Sequence, residues 1–175
     1  MLFRSQVGKP LPALVEGMFT TVATDPERRT GALLIAGALA GRAQQPLADG
    51  RTPLQALLAM ESDAEARGTV ADWLLAVGNT RSDAALPIAL RRLDDVDPAV
   101  RAAACVVLRD QGAMEATQAL LERGLRDAAA SVRLEAVLAL STRRDANVRQ
   151  ALQLVADTDV DSTVRGRAAR ALQAS

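Results

Sequence analysis

Apolar residues recur along this chain at steps of three and four. Val100, Ala104, Val107 and Leu108 stand at i, i+4, i+7 and i+8, and Val132, Ala136, Ala139 and Leu140 repeat that spacing. It is the spacing of one buried face of an α-helix, whereas a half-buried strand needs strict alternation. Strand-like alternation is absent throughout, so the pattern predicts an all-α chain. Before each long apolar helix lies a shorter amphipathic one. The clearest are Ala84 to Leu93, through Leu86, Ile88, Leu90 and Leu93, and Ala116 to Leu125, through Leu120, Leu121 and Leu125. Thr52 to Met60 and Leu11 to Val22 take the same role earlier. Gly78-Asn79 and Gly112 mark the turns before the shorter helices, and Asp83 and Glu115 head them.

The pairs are copies of one another. Asp97-Pro98-Ala99-Val100-Arg101-Ala102 leads to Leu108; a shift of 32 residues reaches Ser131-Val132-Arg133-Leu134-Glu135-Ala136 and Leu140, and a second shift of 32 reaches Asp161-Ser162-Thr163-Val164-Arg165 and Leu172. Asp63 to Arg67 with Val70 and Leu74, and Asp25 to Arg29 with Ala32 and Ala36, fit the same frame at less regular spacing. Asp97-Pro98 and Asp25-Pro26 read as an N-cap aspartate followed by proline at the first helical position. A helix pair with one apolar stripe per helix cannot bury both alone, so successive pairs must stack. The expected fold is an α-α superhelix of about five antiparallel helix pairs, with repeats near 10–42, 51–79, 80–111, 112–143 and 144–175 after an irregular segment 1–9.

An Asp-x-x-x-Arg head on the second helix, followed by apolar positions at four-residue steps, resembles the HEAT repeat family over residues from about 10 to 173. The resemblance implies a ladder in which aspartate and arginine of successive repeats bond at the turns between helices. Carried onto this sequence, it comprises Asp25, Arg29, Asp63, Arg67, Asp97, Arg101, Arg133, Asp161 and Arg165, with Asp97 beside Arg101 and Asp161 beside Arg165. Arg133 has Ala129 at the matching site, and Asp127 is the acid that could stand in. Read this way the five arginines are structural rather than an anion-binding stripe.

Composition narrows the function. The 175 residues include no histidine, one cysteine and no tyrosine, and 21 basic residues balance 21 acidic ones. A nucleic-acid partner needs a cationic field and stacking needs aromatics, which are 2% here, so nucleic acid is disfavoured. No apolar run reaches bilayer length, and no secretory leader is legible, which points to a cytoplasmic protein. A serine would have no histidine base, no phosphate-binding glycine loop occurs, and no catalytic, cofactor-binding or metal-binding residue is assigned. Asp94-Asp95-Val96-Asp97 and Asp157-Thr158-Asp159-Val160-Asp161 lack the central glycine and terminal glutamate of a common calcium loop, and read as turns whose acids favour helix N-termini. Cys105 reads as an inert core thiol. Gly37 and Gly41 read as a close helix contact. Trp73 reads as a core plug lying beside the buried stripe, and as the best hot-spot candidate were it exposed.

In stacked helix pairs the second helices line the concave side. Positions off the buried stripe form rows at the 32-residue step: Ala103, Glu135 and Arg167 in one, Val106, Leu138 and Arg170 in another, with Arg109 beside them. Their chemistry changes from repeat to repeat, which suits a protein or peptide partner. The leading expectation is therefore a non-catalytic, monomeric scaffold that binds a protein or peptide there. The alternatives are an accessory subunit of a lyase-type or other HEAT-like enzyme, and a fragment of a larger secreted or envelope protein, since Leu74 to Asn79 with Ala84 to Pro87 is similar to the helical part of vitellogenin-like lipid carriers.

Overall fold

The computed structural model of the chain describes residues 11–43 and 45–173; the irregular segment expected at 1–9 lies outside them. Every regular element among the described residues is helical. The chain divides into two compact units, one ending at Ala85 and the other starting at Leu86.

In the first unit α1 (Leu11–Thr24) packs on α2 (Arg29–Ala40), and α2 packs in turn on α3 (Pro53–Leu58) and α5 (Val70–Asn79). Thr52 opens α3 with a capping box, its hydroxyl accepting from the Gln55 amide while the Gln55 side chain accepts from the Thr52 amide. The loop before it folds back on α1, where the Glu16 carboxylate accepts the Ala48 amide at 2.6 Å and Leu47 packs with Val15 and Ala56. α2 and α5 meet backbone to backbone. A Cβ on Gly37 would overlap the Ala76 carbonyl and one on Gly41 the Thr80 carbonyl, so only glycine permits this approach.

One expected helix is split. Asp63 to Arg67 does not head the helix that carries Val70 and Leu74; it belongs to a separate α4 (Glu61–Arg67), and α5 starts afresh after it. The break is Gly68, whose φ of 67° is the left-handed conformation that ends a helix. Trp73 lies squarely in the core and not beside it: it is fully buried, and its indole N–H donates to the Leu57 carbonyl at 2.8 Å, so burial leaves no polar atom unmet.

The second unit holds α6 (Ala85–Arg92), whose first residue belongs to the preceding unit, then α7 (Pro98–Arg109), α8 (Met114–Glu122), α9 (Ala130–Leu140), α10 (Ala146–Thr158) and α11 (Ser162–Gln173). α8 stops earlier than its apolar pattern suggests: Leu125 falls in a 3₁₀ turn, Gly124–Arg126, that packs against α9. The second helices α7, α9 and α11 lie side by side, α9 touching both of the others. Each buries the same register positions: Val100, Ala104 and Leu108; Val132, Ala136 and Leu140; Val164, Ala168 and, half-buried, Leu172. Alanine at the central position lets the helix axes come close, and branched residues on either side fill the gap between them.

Candidate functional site

The polar framework of the second unit is built at the turn that enters each second helix. Asp95, Asp127 and Asp159 stand in the same place in three successive turns. Each accepts, through Oδ1, the amide two residues on: Asp97 at 3.0 Å, Ala129 at 2.8 Å and Asp161 at 2.8 Å. That short local bond orients the carboxylate toward its long-range partner. Six residues beyond each stands an arginine whose Nη1 reaches back to the carbonyls of its own turn. Arg101 donates to Asp95 and Val96, Arg133 to Asp127 and Ala128, and Arg165 to Asp159.

The other edge of the guanidinium crosses to the next repeat. Arg101 Nε and Nη2 donate to the two carboxylate oxygens of Asp127 at 2.6 and 2.8 Å. Arg133 does the same to Asp159, both distances 2.8 Å. The aspartate beside each arginine is used elsewhere. Asp97 caps α7 by accepting the Ala99 amide, and Asp161 caps α11 by accepting those of Thr163 and Val164. The expected pairs Asp97–Arg101 and Asp161–Arg165 are therefore corrected. An N-cap carboxylate turned toward the helix amides points away from an arginine one turn along, and the rung is closed by the acid of the following turn.

The side chains of Arg133 and Asp159 are only 10% and 5% exposed. Hydrogen bonding from Arg101 holds the Asp127 carboxyl below the usual carboxylate range, and that from Arg133 does the same for Asp159. The effect is mutual: both arginines are held protonated more firmly than a free guanidinium.

In the first unit the expected ladder residues pair differently. Arg67 bonds Asp63 within α4 in an exposed pair. Asp25 bonds Arg28, while Arg29 donates Nε to the Val22 carbonyl and so ties α2 to α1 without an acid.

Two further arginines add cross-repeat ties. Arg123 donates to the Leu90 carbonyl at the end of α6 and to Asp94. Arg143 reaches across to the Leu108 carbonyl in the last turn of α7, to the Gln111 carbonyl just past it and to the Thr117 hydroxyl of α8, and burial lowers its pKa. Arg123 has Arg91 at the matching place one 32-residue step earlier and Val155 one step later, and Arg143 has Gln111, so the periodicity does not mark a rung at either; a basic residue just past a helix end is the local signal.

The two acidic clusters are dispersed among these bonds. Asp94 faces Arg123, Asp95 faces Arg92, Asp97 and Asp161 cap helices, Asp159 closes a rung and Asp157 accepts from Gln153. No grouping of three metal-ligating side chains occurs among the described residues.

The family comparison agrees with this geometry. Residues 86–173 match the family model for HEAT repeats. The chain belongs to the HEAT repeat family. No curated protein matches it. The matched stretch is the second unit, where the turn aspartates and their arginines recur; the HEAT rungs here run from one repeat's arginine to the next repeat's turn.

The positions expected to meet a partner are unequally placed. Ala103 is buried in the flank that also holds Val100, Ala104 and Val107, so it offers nothing to a partner; on that face of α7 a single methyl does not rise above its neighbours. Val106, Glu135, Leu138 and Arg167 are half-buried, and Arg109 and Arg170 are exposed, Arg109 lying 3.3 Å from Asp110. Among the described residues no helix is long and apolar enough to cross a membrane.

Proposed function

We propose that this HEAT-repeat protein is a non-catalytic scaffold whose second helices α7, α9 and α11 receive a protein or peptide. The face consists of Val106, Arg109, Glu135, Leu138, Arg167 and Arg170. The observation that carries the reading is the register of these helices. The rungs hold α7 to α9 and α9 to α11, so Val106, Leu138 and Arg170 form an ordered row in which two aliphatic side chains give way to a cation. Such a row suits an extended or helical segment with an apolar part and an acidic end. It does not suit a uniform phosphate backbone, because Arg101, Arg123, Arg133 and Arg143 are already engaged by protein acceptors. Without a partner the protein acts as a monomer.

Photo-crosslinking in the source cells tests this. A benzoyl-phenylalanine at position 106, 138 or 170 should yield a common adduct, and one at the exposed Gln118 or Gln150 on the first helices should not. Adducts from the first helices alone, or turnover of a substrate by the purified chain, would count against the proposal.

A further inference from the structure

The second-helix face leaves another surface of the same unit unaccounted for: the flank of α11 opposite α9. In α9 the positions Arg133, Val137 and Leu140 are buried, and Arg133 hands its fork to the turn that leads into α11. Their register counterparts in α11, Arg165, Ala169 and Leu172, are only half-buried. Arg165 is already set in the rung geometry, since its Nη1 donates to the Asp159 carbonyl at 2.6 Å as Arg133 Nη1 does to Asp127. Among the described residues its Nε and Nη2 edge, which takes a carboxylate in both preceding repeats, has no acceptor. α11 adds Arg167 and Arg170 and contains no acidic residue.

We propose that this flank is a docking site for a helix of another polypeptide that carries an aspartate just ahead of its first turn and small or aliphatic residues along one side. The partner's carboxylate would take the two free donors of Arg165, and its apolar side would cover Ala169 and Leu172. Two observations select that occupant. The fork geometry calls for a planar carboxylate rather than a carbonyl, and α11 contains no acidic residue that would repel an acidic helix head. The α9–α11 junction shows the same recognition completed inside the chain.

That junction supplies the probe. A labelled peptide of residues 157–173, blocked at both ends, carries the Asp159 turn and the α11 sequence; fluorescence anisotropy follows its binding to the full chain. Saturable binding is expected, weakened about tenfold or more when the peptide carries Asp159→Asn and when the protein carries Arg165→Gln, with Arg165→Lys recovering only part because an ammonium cannot present the fork. Circular dichroism and a thermal melt check the fold of the protein variants, and the peptide substitution reads the rung even if Arg165→Gln unfolds. No binding, or binding indifferent to both substitutions, overturns the proposal. So does Arg165-dependent self-association of the full chain in sedimentation, because the occupant would then be a second copy. The crosslinking row at 106, 138 and 170 lies on a different face, so either result can fail without the other.

Discussion

Arg133 and Asp159, 26 residues apart in sequence, face each other through two parallel hydrogen bonds of 2.8 Å, and the same guanidinium holds the carbonyls of Asp127 and Ala128 with its third nitrogen. One side chain thus closes its own turn and grips the next. The arrangement leaves little freedom in the register of α9 against α11.

Removing one partner strands the other in a nearly dry place. Asp159→Ala or Arg133→Ala should lower stability by about 2–4 kcal/mol, and the double variant should show a coupling of about 1–3 kcal/mol. Urea denaturation of the four proteins measures it. The Asp63–Arg67 pair, whose side chains are 45% and 35% exposed, should give under about 1 kcal/mol in the same cycle. Equal losses at the two sites would show that the rungs carry no special share of stability.

Acid should loosen the unit through Asp127 and Asp159. Both carboxyls are held below their ordinary range in the folded chain, chiefly by the arginine bonds. A group with a depressed folded pKa gives stability that is present above its unfolded pKa, about 3.9, and that disappears as pH falls through the lower folded value. The melting temperature should therefore drop steeply below about pH 4. The gap between the parent protein and Asp159→Asn should shrink over the same interval; a gap that stays constant down to about pH 2 would contradict the assignment.

The 3₁₀ turn before α9 has no room for a side chain. A Cβ on Gly124 would sit 2.8 Å from the Ala136 Cβ and 3.4 Å from the Cys105 sulfur. Gly124→Ala should cost about 1–3 kcal/mol, and adding Ala136→Gly should recover part of it, less the helix penalty of about 1 kcal/mol. A Gly124→Ala protein with an unchanged urea midpoint would show that the turn moves freely.

Cys105 should be silent in the native protein. It is fully buried, and desolvation pushes its thiol up to about 12. A raised folded pKa gives stability that is complete below the unfolded value, about 8.5, and is lost as pH rises toward the folded one. Labelling by a disulfide reagent near about pH 8 should follow the rate of global unfolding and quicken with urea; rapid labelling in buffer would mean that the α7 flank opens on its own.

The helix pairs were legible because their signal is local. The 3.6-residue apolar stripe through Val100 and Leu108, or Val132 and Leu140, needs no knowledge of distant partners. The rung was harder. Asp95, Asp127 and Asp159 recur at the 32-residue step as plainly as Arg101, Arg133 and Arg165 do, but Asp97 and Asp161 lie closer to the arginines and compete for the same role on paper. Only the backbone shows that those two are consumed as caps. Ala103 is buried where its register counterparts Glu135 and Arg167 are half-buried, because a single methyl stays below the neighbouring side chains that a longer one rises past. Arg143 acts across repeats from a position with no basic counterpart at the 32-residue step, and Arg123 shares its step only with Arg91, so neither forms a series as Arg101, Arg133 and Arg165 do.

The offset of these clamps also sets how such an array can change length. Each span of 32 residues brings one donor fork and one waiting acid, and the acid of a repeat always answers the fork of the one before. Excising residues 112–143 as a block would carry Asp159 into the place that Asp127 occupies and present it to Arg101 at the same separation of 26. Shortening that interval by a single residue would offer the fork nothing. By the rungs alone, duplication or loss of a whole unit keeps fork and acid in step, whereas a one-residue edit does not.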